Sequence, residues 1–246
     1  MEFKGINKLS LLDYPGKVAA ILYVDVCNFC CEYCHNWNTL IAPKDNTDIF
    51  FDDIISFLKK RVGVLDGVVI SGGEPTLMPD LESKISKIKE LGYAIKLDTN
   101  GSNPMVVDAL ISKGLIDYVA MDIKSSLDDY HRFAKSQDLI SNVKRTIDLL
   151  KENKVDYEFR ITLIDEYHSI KEINKIAELL KGAKRLYLQQ FKVSDGVLNK
   201  NLHPVDEGVA NSYAEILSHF IDEVELRGYW YTLQRLKRQL LHHYRQ

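Results

Sequence analysis

The sequence is poor in cysteine, proline and tryptophan and has no excess of one charge. It holds four cysteines, six prolines and two tryptophans in 246 residues. All four cysteines fall in "CNFCCEYC", Cys27 to Cys34. A disulfide framework needs cysteines spread along the chain. The clustering therefore excludes one and points to metal or redox chemistry in a reducing, cytoplasmic compartment. Lys and Arg number 32 against 35 Asp and Glu, a net charge of −3. That balance excludes a dedicated nucleic-acid binder. The longest apolar run, "VAAILYV", is far short of the roughly 20 residues that cross a bilayer. The start, "MEFKGINKLS", lacks the apolar stretch of a signal peptide. Neither nucleic acid nor a membrane is expected as a partner.

What is present is an alternation of strand-like and helix-like segments in a chain that is 46% hydrophobic. Val18–Asp25, "GVVISGG", "AIKLDT", "YVAMDI", "DYEFRIT" and "RLYLQQF" read as strands. Between them, apolar residues recur at helical spacing: Phe51, Ile54 and Leu58; Leu81, Ile85 and Ile88; Val106 to Leu110; Ile140, Val143 and Ile147; Ile173, Ile176 and Leu180. Asp80 is placed to cap the second of these helices and Gly92 to stop it. A long last helix runs from Val209 to Val224, and "YWYTL" (Tyr229–Leu233) is a candidate closing strand. About six βα units imply an α/β fold with a mostly parallel sheet and helices outside. Eight units close a full barrel. Six predict a partial, open (β/α)6 TIM-like barrel. Without a linker or compositional break, residues 1–246 are expected to form a single domain, with a lead-in over about 1–17 and a helical extension over about 205–246.

The polar oddities sit at strand ends. The first strand runs into the cysteine loop, the second ends in "SGGEP", the third in "DTNG", and the fourth at Asp122 and Lys124. The fifth carries Arg160 and the sixth ends in Gln189 and Gln190, of which one can face the site. In a parallel α/β barrel all these ends meet on one face, where ligands bind. Thiolates at Cys27, Cys31 and Cys34 can wrap a 4Fe–4S cluster and leave its fourth iron open. A zinc site and inert core thiols are the alternatives; adjacent Cys30 and Cys31 would strain a tetrahedral ion. Each other signal also has a plain structural alternative: a turn for Gly72 and Gly73, a helix cap for Asp98 or Asp122, a surface ion pair for Lys124. His35 reads as loop packing or proton transfer. Arg160, in a strand suited to burial, needs an anionic partner.

"CNFCCEYCHN" resembles the Cys-x3-Cys-x-aromatic-Cys loop of the radical S-adenosylmethionine enzymes, with Tyr33 as the aromatic. "GGEP" is similar to their second motif. "LSLLDYPGKVAA" before the loop and "HN" (His35, Asn36) after it resemble one branch, the glycyl-radical-enzyme activating enzymes. These include the activators of pyruvate formate-lyase and of anaerobic ribonucleotide reductase. The resemblance covers Leu9 to Arg160 well. Cys30 departs from it, standing where the branch commonly has a basic or polar residue. The resemblance implies one 4Fe–4S cluster on Cys27, Cys31 and Cys34, since no cysteine follows Cys34 that could hold a second. It implies S-adenosylmethionine held by Tyr33, Gly72, Gly73, Glu74, Asp98, Thr99, Asp122, Lys124 and Arg160, with a monovalent cation as a further element. Reductive cleavage would give methionine and a 5′-deoxyadenosyl radical that takes hydrogen from a glycine of a partner enzyme. The implied partners are a glycyl-radical enzyme, with a lean toward anaerobic ribonucleotide reductase, and a flavodoxin- or ferredoxin-type electron donor. A radical enzyme acting on a small molecule and a non-catalytic iron–sulfur carrier are the competing functions.

Overall fold

The computed structural model describes residues 2–35 and 49–229. An eight-stranded sheet runs in simple sequence order: β1 (Gly5–Ser10), β2 (Ala19–Val24), β3 (Gly67–Gly72), β4 (Ala94–Thr99), β5 (Tyr118–Asp122), β6 (Asp156–Leu163), β7 (Arg185–Gln190) and β8 (Glu223–Arg227). β1 pairs antiparallel with β2, and every later pair is parallel. Strand order does not reverse, so the sheet curls with its C-terminal ends on one rim. Among the described residues β1 and β8 are separate edges. This is the expected open, mostly parallel α/β sheet.

The crossovers carry helices α1 (Phe51–Lys59), α2 (Leu81–Lys89), α3 (Pro104–Ser112), α4 (Gln137–Lys151), α5 (Ile170–Leu180) and α6 (Glu207–Ser218). Their apolar stripes pack on the outward residues of the strands. Ile54, Leu58, Ile85, Ile88, Val143, Ile147, Ile173 and Ile176 bury against Val68, Ile70, Ile95, Leu97, Phe159 and Leu188. Ser136 and Ser169 cap α4 and α5 by accepting from Leu139 N and Glu172 N. Asp80 stands at the start of α2 but makes no capping bond; its carboxylate pairs instead with Lys84 at 3.0 Å. Gly92, at φ +90°, ends that segment as expected.

Three expectations change. Part of the lead-in, Gly5–Ser10, is an edge strand. The last helix stops at Ser218, and Val224 lies in β8. That strand precedes the stretch read as a closing strand, of which Tyr229 is described and the rest lies outside the described residues.

The inward face of the sheet is layered. Ala19, Ile21, Val69 and Tyr118 form an apolar floor with Tyr14. Lys96 stands in register with the floor residues Val69 and Tyr118, and further along the strands the inward positions become charged or polar, as Asp98, Asp122, Glu158 and Arg160, and Gln189. Alternation along each strand puts these residues on one face.

Candidate active site

A cavity of about 400 Å³ opens at the C-terminal rim. Its lining brings together Cys27, Cys31, Tyr33, Cys34, Gly72, Gly73, Asp98, Thr99, Asp122, Lys124 and Arg160. Eleven of the twelve residues singled out for cluster or cofactor therefore share one space. Glu74 does not. It is fully buried, and its carboxylate accepts from Thr76 N (3.1 Å), Thr76 Oγ1 (2.6 Å), Thr99 Oγ1 (2.8 Å) and Asn100 N (2.6 Å). Its oxygens are thus engaged in a tie between the ends of β3 and β4. Burial raises the Glu74 pKa, with the hydrogen bond from Asn100 opposing it.

The cysteine loop follows from β2. Cys34 N donates to Cys31 O at 3.1 Å, closing a turn that brings both side chains to the cavity. Cys30 is absent from the lining; its N–H donates to Phe133 O at 3.0 Å, and Phe29 bridges to Ala134. Tyr33 is buried, edge-on to Phe133 at 5.9 Å, with Lys124 Nζ 5.7 Å from its ring centre. None of the four cysteines is in a disulfide. Burial pushes Cys31 up to about 12 and raises Cys27, while Lys124 opposes both shifts. Such thiols are poor nucleophiles at neutral pH, and metal binding is what would deprotonate them. Among the described residues no His, Cys, Asp or Glu group closes on a single ion. The donor set, three thiols around a shared space, fits a cluster with one open iron better than a zinc ion.

Gly72 is required by geometry. Its φ is +113°, and a Cβ there would lie 2.3 Å from Val24 O. Gly73 N and Glu74 N then donate to Val24 O and Val26 O at 2.9 and 2.6 Å, seating the turn against the cysteine loop.

The opposite wall is an alternating charge network. Asp98 accepts from Ser71 Oγ and Lys96 Nζ, each at 2.8 Å, and lies 3.4 Å from Arg160. Asp122 accepts from Arg160 Nε at 2.8 Å and Lys124 Nζ at 3.2 Å. Burial works to raise both carboxyls, yet Arg160 with Lys96 holds Asp98 low, and Arg160 with Lys124 holds Asp122 at about 2. The in-register pairing of Asp122 with Arg160 across β5 and β6 supplies the partner that a buried arginine needs.

Gln189 lines the cavity, whereas Gln190 packs toward Gly228. His35 also lines it, its Nδ1 3.1 Å from Ser194 Oγ and its ring beside Phe191. Asn36 lies outside the described residues. Ser71 and Asn100, which fall in the "SGGEP" and "DTNG" strand ends, also line the cavity, and sequence reasoning missed Asp13 and Thr162. Period-two spacing from Arg160 points to Thr162. Asp13 had no signal, because its place depends on how the lead-in folds back.

A pocket with three thiols in its lining, at the mouth of an open, mostly parallel α/β barrel, fits an iron–sulfur cluster with a ligand site beside it. The model of the Radical SAM superfamily matches residues 21–180, and the chain belongs to that superfamily. The family implies a 4Fe–4S cluster and S-adenosylmethionine. Over 232 residues the chain is 36% identical to a Methanocaldococcus jannaschii protein named as a candidate glycyl-radical enzyme activating enzyme, covering 91% of this chain and 94% of the relative. It is 33% identical over 100 residues to a Staphylococcus aureus pyruvate formate-lyase-activating enzyme, 39% of each chain. In fold it is similar to Streptococcus suis SuiB bound to S-adenosylmethionine, with a TM-score of 0.64 and 16% identity over 85% of this chain and 49% of that one. No helix among the described residues is long and apolar enough to cross a membrane.

Proposed function

We propose that this protein is an activating enzyme that installs a glycyl radical on a partner enzyme. The observation that carries this reading is the similarity to the M. jannaschii relative over nearly the whole of both chains. The pocket supports it chemically. Cys27, Cys31 and Cys34 are the proposed cluster ligands. S-adenosylmethionine carries an ammonium, a carboxylate and a sulfonium, and the wall of Asp98, Asp122, Lys124 and Arg160 offers fixed charges of both signs. Gly72 and Gly73 present main chain without side-chain bulk, Thr99 shares the rim, and Tyr33 walls the cavity beside the cluster loop. When bound there, cluster and sulfonium together supply the radical chemistry that removes a hydrogen atom from a glycine. The protein's part is to hold the reacting groups in line and keep the pocket's charges fixed. Lys96, Arg160 and Lys124 already neutralise Asp98 and Asp122, so a monovalent cation is not needed for charge balance at that wall.

The partner in this proposal is an anaerobic ribonucleotide reductase, with a flavodoxin- or ferredoxin-type donor supplying electrons in the cytoplasm and the whole chain acting as one domain. The test is anaerobic reconstitution with iron and sulfide, followed by incubation with S-adenosylmethionine, dithionite and purified ribonucleotide reductase or pyruvate formate-lyase. A glycine-centred EPR signal on the reductase is expected. A signal on the lyase alone would change the partner. Turnover of a small metabolite, with a signal on neither enzyme, would overturn the assignment.

A further inference from the structure

The pocket has two chemically different halves. On β3 to β5 and the start of the β6 wall, the charged and hydroxyl side chains are committed: Ser71 to Asp98, Thr99 to Glu74, Asp122 and Lys124 to each other, and Arg160 to both aspartates. On the β6–β7 side, Thr162 and Gln189 also line the cavity, but neither side chain makes a hydrogen bond or ion pair to another described residue. They are in register across the two strands, so they stand side by side on the rim. Both are neutral. Beside Gln189 on β8, the neighbouring charged group is unavailable: Arg227, in register with Gln189, is bound to the buried Glu158 at 3.2 and 3.3 Å and lies over the Tyr187 ring.

Resting on the activating-enzyme reading, we propose that Thr162 and Gln189 form the subsite that grips the target glycine through its main chain. A zwitterionic cofactor is matched by the charged half, and a neutral peptide by the neutral half. Glycine offers no side chain to recognise, so selection must act on the peptide groups around it. In extended backbone, one residue's own N–H and C=O project to the same edge, the geometry by which antiparallel neighbours exchange two hydrogen bonds. A carboxamide has the donor and acceptor to answer both. Gln189 takes the place of a neighbouring strand for that one residue, and the Thr162 hydroxyl meets the adjacent peptide group. Holding the peptide plane at two points also fixes which of the two glycine hydrogens faces the cluster side.

The experiment is a cycle between enzyme and substrate atoms. The probe is a capped heptapeptide of alanines and serines around a central glycine dideuterated at Cα; a second peptide carries a methyl group on that glycine nitrogen. Reconstituted protein is given S-adenosylmethionine, dithionite and peptide. Deuterium leaving the glycine Cα is then measured in 5′-deoxyadenosine, with ribonucleotide reductase labelled at glycine as a parallel substrate. Iron content checks that each variant is intact. Gln189→Leu and N-methylation are each expected to lower kcat/KM for deuterium transfer about ten-fold, and Thr162→Val about three-fold, as for loss of one or two hydrogen bonds. In Gln189→Leu the methyl group should then cost less than about two-fold, because the bond it removes is already gone. If the two losses multiply, or Gln189→Leu transfers deuterium like the parent, the subsite assignment is overturned and the activating-enzyme reading survives. If the parent moves deuterium from neither peptide nor reductase, the activating-enzyme reading falls and the subsite with it.

Discussion

Cys30 and Glu74 show at the single-residue scale how motif position and side-chain role separate. Cys30 sits inside the loop but outside the cavity, its backbone tied to Phe133. Single alanine variants, reconstituted anaerobically, should divide accordingly. Cys30→Ala keeps iron and cofactor cleavage, while Cys27→Ala, Cys31→Ala and Cys34→Ala lose cleavage. Retained cleavage in Cys31→Ala with loss in Cys30→Ala would reverse the assignment. Glu74 lies in the second motif, yet its carboxylate serves the turn. It orders Asn100, whose amide nitrogen in turn reaches Asn28 Oδ1 at 3.0 Å and Cys27 Sγ at 3.9 Å. Glu74→Ala strands several buried donors, at about 1–3 kcal/mol each where they stay unpaired. It should therefore lower the urea midpoint and iron retention together. Asp98→Ala should weaken S-adenosylmethionine binding while iron is retained. A Glu74→Ala protein with parental stability and iron would show that the tie carries little.

At the scale of elements, legibility followed how one-sided each burial pattern is. The six strands read from sequence have apolar outward residues on a helix-covered face, and they appear where expected. β8 reads from the sequence as a continuation of the preceding helix because Glu223, Glu225 and Arg227 alternate with only Val224 and Leu226, and no glycine or proline follows Ser218 until Gly228. β1, "GINKLS", is an edge strand with three exposed residues and no apolar run to mark it. The rim was legible because charges end apolar strands there. Asp13 was not, since a folded-back loop leaves no pattern, and Thr162 was marked only by its period-two spacing from Arg160. The connection after β6 carries a pH-dependent element. His168 is buried, its Nδ1 close to Ile164 N at 3.0 Å, and burial depresses its pKa to about 4. The folded protein therefore resists protonation that the unfolded chain accepts near pH 6.5. Stability is full above that value and is lost as pH falls toward 4, by up to about 3 kcal/mol. Urea midpoints of the parent should drop over this interval, and those of His168→Gln should drop less. Parallel curves for the two proteins would remove His168 as the cause.

At the scale of the whole molecule, the lead-in closes the barrel from below, and the site rests on it. After β1, the chain crosses the N-terminal ends of the strands. Val18 N bonds Asp66 Oδ2 at 2.9 Å, and the Tyr14 ring enters the floor 6.0 Å from Tyr118. Asp13 O accepts from Lys96 Nζ at 2.6 Å, and the same ammonium holds Asp98 at 2.8 Å. One buried lysine thus links the floor to the charged wall of the pocket. Leu11 and Leu12, in the same segment, are 69% and 90% exposed and contribute little to that closure. Tyr14→Ala should open a cavity and cost about 3–5 kcal/mol, the range for large aromatic truncations. Tyr14→Phe keeps the ring and should change stability by less than about 1 kcal/mol, and Leu12→Ser by no more than about 0.5 kcal/mol. Because Lys96 loses its lower anchor when the floor loosens, Tyr14→Ala should also weaken S-adenosylmethionine binding by the reconstituted protein, whereas Leu12→Ser should not. Urea denaturation and cofactor titration of the three variants decide the matter. If Tyr14→Ala matches Leu12→Ser in both measurements, the lead-in is an appendage and the pocket stands without it.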